Sequence, residues 1–188
     1  MKEIIPLKAF LLLLFGFSLS IIVSAQSAQA FSNDDLKAMM ANDWVRAKAY
    51  TLEYLNTMPA NKYSFKAVDT TRSFAQQMLH LAMANVYLMS TATDQKPLPW
   101  ASFDIEKRKT AQTKDSVMYY VTTSYDLCLN AVKNCNPAKW KDEVTIFGFK
   151  TTKFGLMQKV FEHQTHHRGQ TTIYIRLNNI KPPEEKLF

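Results

Sequence analysis

Glycine is scarce in this chain, with 4 residues in 188. The tight turns of all-β proteins need many residues that accept unusual backbone angles, so this scarcity argues against an all-β fold. Hydrophobic residues make up 47% of the chain, which excludes a disordered protein and a membrane protein with many spans. A chain of this length is expected to form one domain with a sizeable core.

Cysteine is scarcer still, since the chain has only Cys128 and Cys135. Neither belongs to a CxxC motif, which argues against a thioredoxin-like function and against a zinc–thiolate site. On an unbroken helix their Cα atoms would lie ~10 Å apart, beyond the ~7 Å that a disulfide allows. A helix that ends near residues 134–137 would permit a local disulfide, so a bridge and two separate thiols both remain open.

The charged residues lack any long run of one sign. The formal net charge is +7, but lysine and arginine are scattered along the chain. This distribution is typical of a solvated surface, and nucleic acid is therefore not an expected partner. A weaker alternative is that the positive charge attracts a small anionic substrate.

The first 30 residues have the pattern of a signal peptide. Lys2 and Lys8 form a short basic region before an apolar run at 9–23, and Ala-Gln-Ala at 28–30 is a suitable cleavage motif. The apolar run is shorter than the ~20 residues that a spanning helix needs, so cleavage is favoured over a retained anchor. We predict an exported protein, periplasmic or extracellular, whose residues 31–188 form one domain without stable membrane insertion.

Hydrophobic spacing in that domain predicts four helices and an all-α fold, a four-helix bundle. The predicted helices cover residues 34–56, 70–91, 106 or 113 to 132, and 151–178. Asp69 is the predicted N-cap of the second helix. A proline-containing crossover at 93–105 joins the second and third helices. Residues 140–149 are predicted to be extended and to end on Gly148.

The chain has four histidines, and three of them fall within five residues. His163 and His167 are spaced i, i+4, which places both imidazoles on one helix face, where they can bind one metal ion. Gln164 occupies the position where an HExxH metalloprotease carries its catalytic glutamate, so the protease reading lacks its general base. His166 lies off this face.

A third metal ligand must come from another helix. His80 lies within an apolar stretch of the second helix, where an imidazole is costly unless it is hydrogen-bonded or binds a metal. The predicted metal ligands are therefore His80, His163 and His167. Three imidazoles leave at least one coordination position open, and a metal-bound water there is the expected catalytic group.

Two glutamines share faces with the predicted ligands. Gln170 lies three residues after His167, and Gln77 lies three residues before His80. Both are predicted to orient a ligand imidazole or the substrate, although a purely structural role is the alternative. Arg168 is predicted to point away from the ligands and to form a structural ion pair.

Several segments resemble the DinB family of DinB/YfiT-like metalloenzymes. The matching runs are HQTHHRGQ at 163–170, YIRLN at 174–178, IKPP at 180–183 and, more weakly, FAQQMLHLA at 74–82. The resemblance implies a four-helix bundle with a long crossover between helices 2 and 3, often a homodimer. It also implies one divalent ion, zinc or nickel, on His80, His163 and His167. Relatives that are better understood use low-molecular-weight thiols as substrates.

Three functions are compatible with these patterns. The first is a metal-dependent enzyme, a hydrolase or a thiol S-transferase, that acts on a small molecule. The second is a non-catalytic metal-binding or stress-response protein, and the third is a helical interaction module with structural histidines. Export weakens the expectation of a thiol substrate, because such thiols are scarce outside the membrane. No general base accompanies the histidines in the sequence.

Overall fold

The computed structural model describes residues 31–188, so the signal peptide predicted for residues 1–30 lies outside the described residues. Within this range the predicted four-helix bundle is confirmed, with one β-hairpin before its last helix. The elements are α1 (Asn33–Thr57), α2 (Phe74–Thr93), α3 (Lys114–Asn134), β1 (Glu143–Ile146), β2 (Phe149–Thr152) and α4 (Lys153–Leu177). No helix in residues 31–188 is both long and apolar enough to cross a bilayer.

Helix α2 lies at the centre of the bundle and packs against both α3 and α4. Its sequence is apolar almost all round, which is typical of a helix that is enclosed by others. Met78, Leu79 and Leu81 are each fully buried. Truncation of one such side chain to alanine would cost about 2–5 kcal/mol of stability. His80 interrupts this apolar surface and remains partly exposed.

The start of α2 corrects a prediction. The N-cap is Ser73 rather than Asp69, and the helix begins at Phe74 rather than Thr70. Ser73 Oγ accepts a hydrogen bond from the Gln76 amide at 3.2 Å, and Gln76 Oε1 accepts one from the Ser73 amide at 2.9 Å. This capping box satisfies two backbone donors, whereas a single aspartate cap satisfies one. It also sets Phe74 into the core, where it is fully buried.

The crossover between α2 and α3 is long, as predicted, but it spans residues 94–113 rather than 93–105 and is only partly irregular. Two short 3₁₀ turns, Ile105–Lys107 and Lys109–Gln112, fold it back over α2. Buried Ile105 anchors the first turn. Helix α3 then begins at Lys114 with Thr113 as its N-cap, so the alternative start at Glu106 is wrong. The crossover places Glu106 over the side of α2 that carries His80.

The segment before α4 forms a β-hairpin rather than a single extended stretch. Ile146 pairs with Phe149, which leaves a two-residue turn at Phe147 and Gly148. Both turn residues have positive φ, 51° and 83°, as a type I′ turn requires. Strand β2 continues past the predicted end at Gly148. Thr152 then caps α4, so that helix begins two residues later than predicted.

A phenylalanine is an unusual residue for the left-handed position of such a turn. Asparagine, aspartate and glycine are the residues that accept this conformation readily. For other residues its steric cost is roughly 1–2 kcal/mol. Phe147 therefore occupies a strained position, and its side chain is two-thirds exposed at 66%. No packing requirement of the hairpin itself explains this choice.

The two cysteines are separate free thiols. Helix α3 ends at Asn134, within the 134–137 segment where its end would permit a local disulfide. Cys128 nevertheless points into the core, while Cys135 forms the C-cap. The indole Nε1 of Trp140 donates a hydrogen bond to Cys135 Sγ at 3.4 Å. Of the two alternatives left open by the sequence, the structure shows the unbridged one.

Candidate metal centre

The structure brings the three predicted histidines together. Helix α2 supplies His80, and α4 supplies His163 and His167 from successive turns of one face. The ring centroids lie 5.3 Å apart for His80 and His163, 4.6 Å for His80 and His167, and 4.4 Å for His163 and His167. One nitrogen from each ring lies within 4.8 Å of the others, a spacing that a single metal ion can bridge. We call these three residues the histidine cluster.

A chain of hydrogen bonds fixes the orientation of His167. The Tyr174 hydroxyl donates to the backbone carbonyl of Arg72 at 2.8 Å, because a carbonyl can only accept. That hydroxyl therefore accepts from Gln77 Nε2, at 3.5 Å, and Gln77 Oε1 faces His167 Nδ1 at 2.8 Å. An amide oxygen can only accept, so Nδ1 carries the proton. The lone pair of His167 then lies on Nε2, where it is available to a metal.

Gln77 therefore contacts a predicted ligand, although the ligand is on another helix. The sequence placed it near His80, three residues away on α2. The structure directs its side chain to His167 on α4 instead. Tyr174 and Arg72 complete the chain of hydrogen bonds, a role that no sequence pattern indicated.

A carboxylate that the sequence did not identify lies beside the cluster. Glu106 Oε2 is 3.6 Å from His80 Nδ1. The guanidinium of Arg72 holds this carboxylate in place, with Nε 2.6 Å from Oε2 and Nη2 3.3 Å from Oε1. Carboxylates in this position fix the tautomer of a metal-binding imidazole and raise its basicity. Only the fold of the crossover brings Glu106 here, so residue spacing could not have revealed it.

The electrostatic environment favours the neutral form of all three imidazoles. Burial is the largest cause, and neighbouring positive groups add to it. The pKa of His163 falls from 6.5 to about 4, and that of His167 falls to about 3. Burial and the Arg72 guanidinium also lower the pKa of His80, while Glu106 opposes that shift. Metal ions bind the neutral imidazole, so protons compete weakly for these nitrogens near pH 7.

The donor set passes a test of fit for a metal ion. Among residues 31–188, the buried Nδ1 of His163 has no hydrogen-bond partner. A buried polar atom without a partner is costly and rare in folded proteins. Three converging neutral imidazoles are a donor set suited to zinc, nickel and similar divalent ions. The residues present therefore fit a divalent metal.

The remaining predicted residues lie around the cluster rather than in it. Gln170 Nε2 lies 2.9 Å from His166 Nε2, and His166 is exposed and outside the cluster. The buried Oε1 of Gln170 has no partner among residues 31–188. Gln170 thus lines the same cavity as His167, but it forms no hydrogen bond with a predicted metal ligand among residues 31–188. Its role in orienting substrate stays a prediction.

Arg168 points away from the cluster, as predicted, but its partners are not carboxylates. Its Nη1 donates to Gln164 Oε1 at 3.0 Å, and its guanidinium lies 4.6 Å from the centroid of the Tyr50 ring. No salt bridge in residues 31–188 includes Arg168, so the predicted ion pair is wrong. Gln164 faces the same interior and is fully buried.

Two cavities adjoin the cluster on different sides. One, of 570 Å³, is polar and is lined by Arg72, Gln77, Glu106 and His167. The other, of 630 Å³, is mainly apolar and opens between the hairpin and α4, beside His163. Both volumes fall in the range of small-molecule sites. The cluster is thus accessible to a small molecule.

Comparison with known proteins agrees with this geometry. A family model described as the DinB family matches residues 29–184. A DinB-like protein from Bacillus cereus ATCC 10987 has a similar structure, with a TM-score of 0.67, 14% identity, and coverage of 78% of this chain and 95% of that one. A DinB-like protein from Bacillus subtilis gives a TM-score of 0.56 at 18% identity, covering 80% and 96%. At these identities the structural likeness shows the fold alone. A comparison with curated proteins gives no match.

Proposed function

The chain belongs to the DinB family, and from that premise we propose that it is a metal-dependent enzyme that holds one divalent ion on His80, His163 and His167. Zinc and nickel are the proposed ions, since both accept imidazole ligands. Three protein ligands leave a coordination position for substrate, as in catalytic rather than structural zinc sites.

The observation that carries this proposal is the unfinished bonding of the histidine cluster. Three imidazoles converge from two helices, each in an environment that favours its neutral form. Structural histidines normally complete their hydrogen bonds inside the protein. Here the buried Nδ1 of His163 has no partner among residues 31–188. A bound ion would be held by one converging nitrogen from each of the three rings.

The chemistry follows from the residues around the ion. A divalent ion acts as a Lewis acid and lowers the pKa of a coordinated water or thiol. Gln77 holds His167 with its Nε2 lone pair free. Glu106 Oε2 faces His80 Nδ1 and favours a proton there, which leaves His80 Nε2 free. We assign Glu106 as the carboxylate that orients His80, and Arg72 as the residue that holds this carboxylate in place.

The proposed reaction is hydrolysis or transfer to a thiol. Both need a nucleophile that loses a proton as it attacks, and the polar cavity beside Glu106 can admit one. If the chain is exported, as residues 1–30 lead us to propose, water is the more available nucleophile. Fractionation of cells that express the full chain, with detection of the new N-terminus, tests export. A cytoplasmic, uncleaved product would contradict it.

Metal analysis tests the binding part of the proposal. Protein purified without a histidine tag should contain one equivalent of zinc or nickel after reconstitution. His167→Ala should bring this close to zero while the circular dichroism spectrum stays helical. His166→Ala on the same helix is the matched control and should keep one equivalent, because His166 lies outside the cluster. Wild-type protein that binds no divalent ion would refute the proposal.

Turnover tests the catalytic part. The metal-loaded protein should hydrolyse activated esters or join a small thiol to an electrophile, and chelation should abolish the activity. Glu106→Gln should lower kcat of the metal-loaded protein by about 10–100-fold, because the carboxylate no longer supports the His80 imidazole. If the fully metal-loaded protein turns over neither substrate class, the non-catalytic metal-binding function is supported instead.

A further inference from the structure

The apolar cavity beside His163 has an unusual wall. Strand β1, the hairpin turn and β2 supply Ile146, Phe147 and Phe149, and the helices supply Leu88 and Leu156. Phe147 and Phe149 are 66% and 75% exposed, respectively. Single exposed apolar side chains are common, but a contiguous apolar patch often marks a ligand or partner site. Here both line one cavity that is also lined by His163, a predicted metal ligand.

Phe147 is held over this cavity at a conformational cost. It is the non-glycine residue of the type I′ turn, with φ of 51°. Its ring stacks on Tyr87 of α2, with centroids 5.8 Å apart, and contacts Phe103 of the crossover at 6.5 Å. Strained residues of this kind concentrate at functional sites. The aromatic contacts fix the ring where it forms the outer wall of the cavity.

The charged groups at the cavity are largely neutralised by one another. Lys150 forms a salt bridge with Glu143 at 2.9 Å, and Lys159 forms one with Glu162 at 2.6 Å. Because each lysine is paired with a glutamate, these four groups add no net charge that would attract an ionic ligand. An uncharged group gains apolar contact with the wall.

From these observations we infer that the cavity binds an uncharged aromatic or branched aliphatic group of the substrate, with Phe147 as the residue that selects it. The inference rests on the proposed function, because His163 lines the cavity and would place the bound group beside the metal. A cavity of 630 Å³ accommodates a group the size of a bicyclic aromatic ring system. The substrate is therefore amphipathic, with its reacting part at the histidine cluster.

The neutral fluorophore N-phenyl-1-naphthylamine tests this inference directly. Its emission rises on transfer from water to an apolar site, so titration measures its dissociation constant. Phe147→Asn removes the aromatic wall but creates an Asn-Gly pair, the preferred sequence for this turn. We expect this variant to bind the probe more weakly by about tenfold or more, given the contact area that an aromatic side chain provides. Phe149→Thr should weaken binding in the same direction.

Tyr119→Gln is the matched control, since Tyr119 is an aromatic residue on α3 that is 58% exposed and does not line the cavity. It should leave the dissociation constant unchanged. A second measurement locates the probe: bound Co²⁺ should quench its emission, whereas bound Zn²⁺ should not. If Phe147→Asn and Phe149→Thr fold, bind metal and bind the probe as tightly as the wild type, the inference is overturned. Probe that binds without quenching by bound Co²⁺ would overturn it as well.

These outcomes separate the inference from the proposed function. Wild-type protein that takes up no metal refutes the proposed function. The comparison of Phe147→Asn with Tyr119→Gln needs no metal, and it still decides whether the cavity binds apolar groups. Conversely, if Phe147→Asn binds metal with unaltered stoichiometry and binds the probe with unaltered affinity, only the inference is refuted.

Discussion

Two neighbouring faces of α4 carry polar side chains that are buried or half-buried, yet the faces differ in whether these side chains complete their hydrogen bonds. One face carries His163 and His167 toward α2. The other, which we call the packing face, carries Gln164 and Arg168 toward α1 and α3. On the packing face the polar groups complete one another's hydrogen bonds. On the histidine side, the buried Nδ1 of His163 has no partner among residues 31–188.

The packing face shows how a buried polar network is satisfied. Tyr125 donates to Gln164 Oε1 at 2.7 Å, and Arg168 donates to the same oxygen at 3.0 Å. Thr51 Oγ1 donates to the Ala47 carbonyl at 2.8 Å and meets the Tyr125 hydroxyl at 2.7 Å. Such closed networks make a core rigid and specific. Among residues 31–188, buried atoms without a partner also occur at Asn85, Ser90 and Trp100, so the histidine side is distinguished by its three converging imidazoles together with the free Nδ1 of His163.

The largest effect we expect is the response of the metal-free protein to acid. Below pH 6.5 the histidines of the unfolded chain become protonated. In the folded chain, His163 and His167 stay neutral until the pH approaches their pKa values of about 4 and about 3. The unfolded state then binds more protons, so the free energy of unfolding falls as pH falls through this window. Allowing for solvent screening, we expect a loss of about 4 kcal/mol between pH 6.5 and 4.

Urea denaturation of chelator-treated protein at several pH values measures this loss. The double variant His163→Gln, His167→Gln should have a shallower slope over the same window, because its side chains do not titrate. The packing face contains no histidine, and its variants should keep the wild-type slope. Equal slopes in the wild type and the double variant would show that the histidine side is not the acid-sensitive one.

The next effect is Arg168→Ala, which breaks the packing face. The substitution removes hydrogen bonds to Gln164 and Thr51 and the contact with the Tyr50 ring, and it leaves a buried gap. We expect a loss of about 3 kcal/mol in the free energy of unfolding, measured by urea denaturation, since a buried network loses its central donor. Arg176→Ala, an exposed position on the same helix, is the control and should change stability by less than about 0.5 kcal/mol.

The Arg168→Ala variant should still bind one equivalent of metal wherever it is folded. Loss of metal from a folded variant would show that the two faces of α4 act as one network. In that case the orientation of the histidines would depend on the packing face.

The third effect concerns the two glutamines that the sequence singled out. Gln77→Ala removes the acceptor that fixes His167, and loss of such a partner typically lowers metal affinity by about 10–100-fold. Gln170→Ala should change the affinity much less, because its hydrogen bond goes to His166. Competition with a chromophoric chelator measures both. Equal losses in the two variants would contradict the assignment of Gln77 as the residue that orients His167.

Most of the fold could be predicted because it depends on local signals. Apolar spacing placed the ends of α1, α3 and α4 within two residues of their observed positions. The start of α2 was missed because Asp69 and Ser73 are both good caps. The capping box with Gln76 and the burial of Phe74 select the second of them. The second strand was missed because Phe147 is a poor turn residue, and no local rule predicts a strained one.

The candidate site was predictable only where it depends on spacing along a helix. The i, i+4 histidines indicated their own proximity, and the isolation of His80 in an apolar stretch indicated the third member. Glu106 and Arg72 come from the crossover and from the turn before α2, segments without periodic patterns. Their approach to His80 depends on how the crossover folds over α2. Similarly, the pairing of Gln77 with His167 depends on how two distant helices pack.

The smallest effect we expect is that of Tyr125→Phe on the packing face. The variant removes one hydroxyl from a fully buried ring. Gln164 Oε1 keeps its hydrogen bond from Arg168, and Thr51 keeps its hydrogen bond to Ala47. Because no remaining group is left without a partner, the cost should be only that of one hydrogen bond, about 1 kcal/mol.

Urea denaturation measures this cost, and metal titration should show no change in affinity. The same deletion in the background of Arg168→Ala should cost more, because Gln164 Oε1 then loses both of its donors and is left buried without a partner. The metal-free histidine side should not show this non-additivity, because the Nδ1 atom of His163 already lacks a partner before any substitution. Additive losses in the double variant would mean that the packing face is not a closed network, and that hydrogen bonding does not separate the two faces.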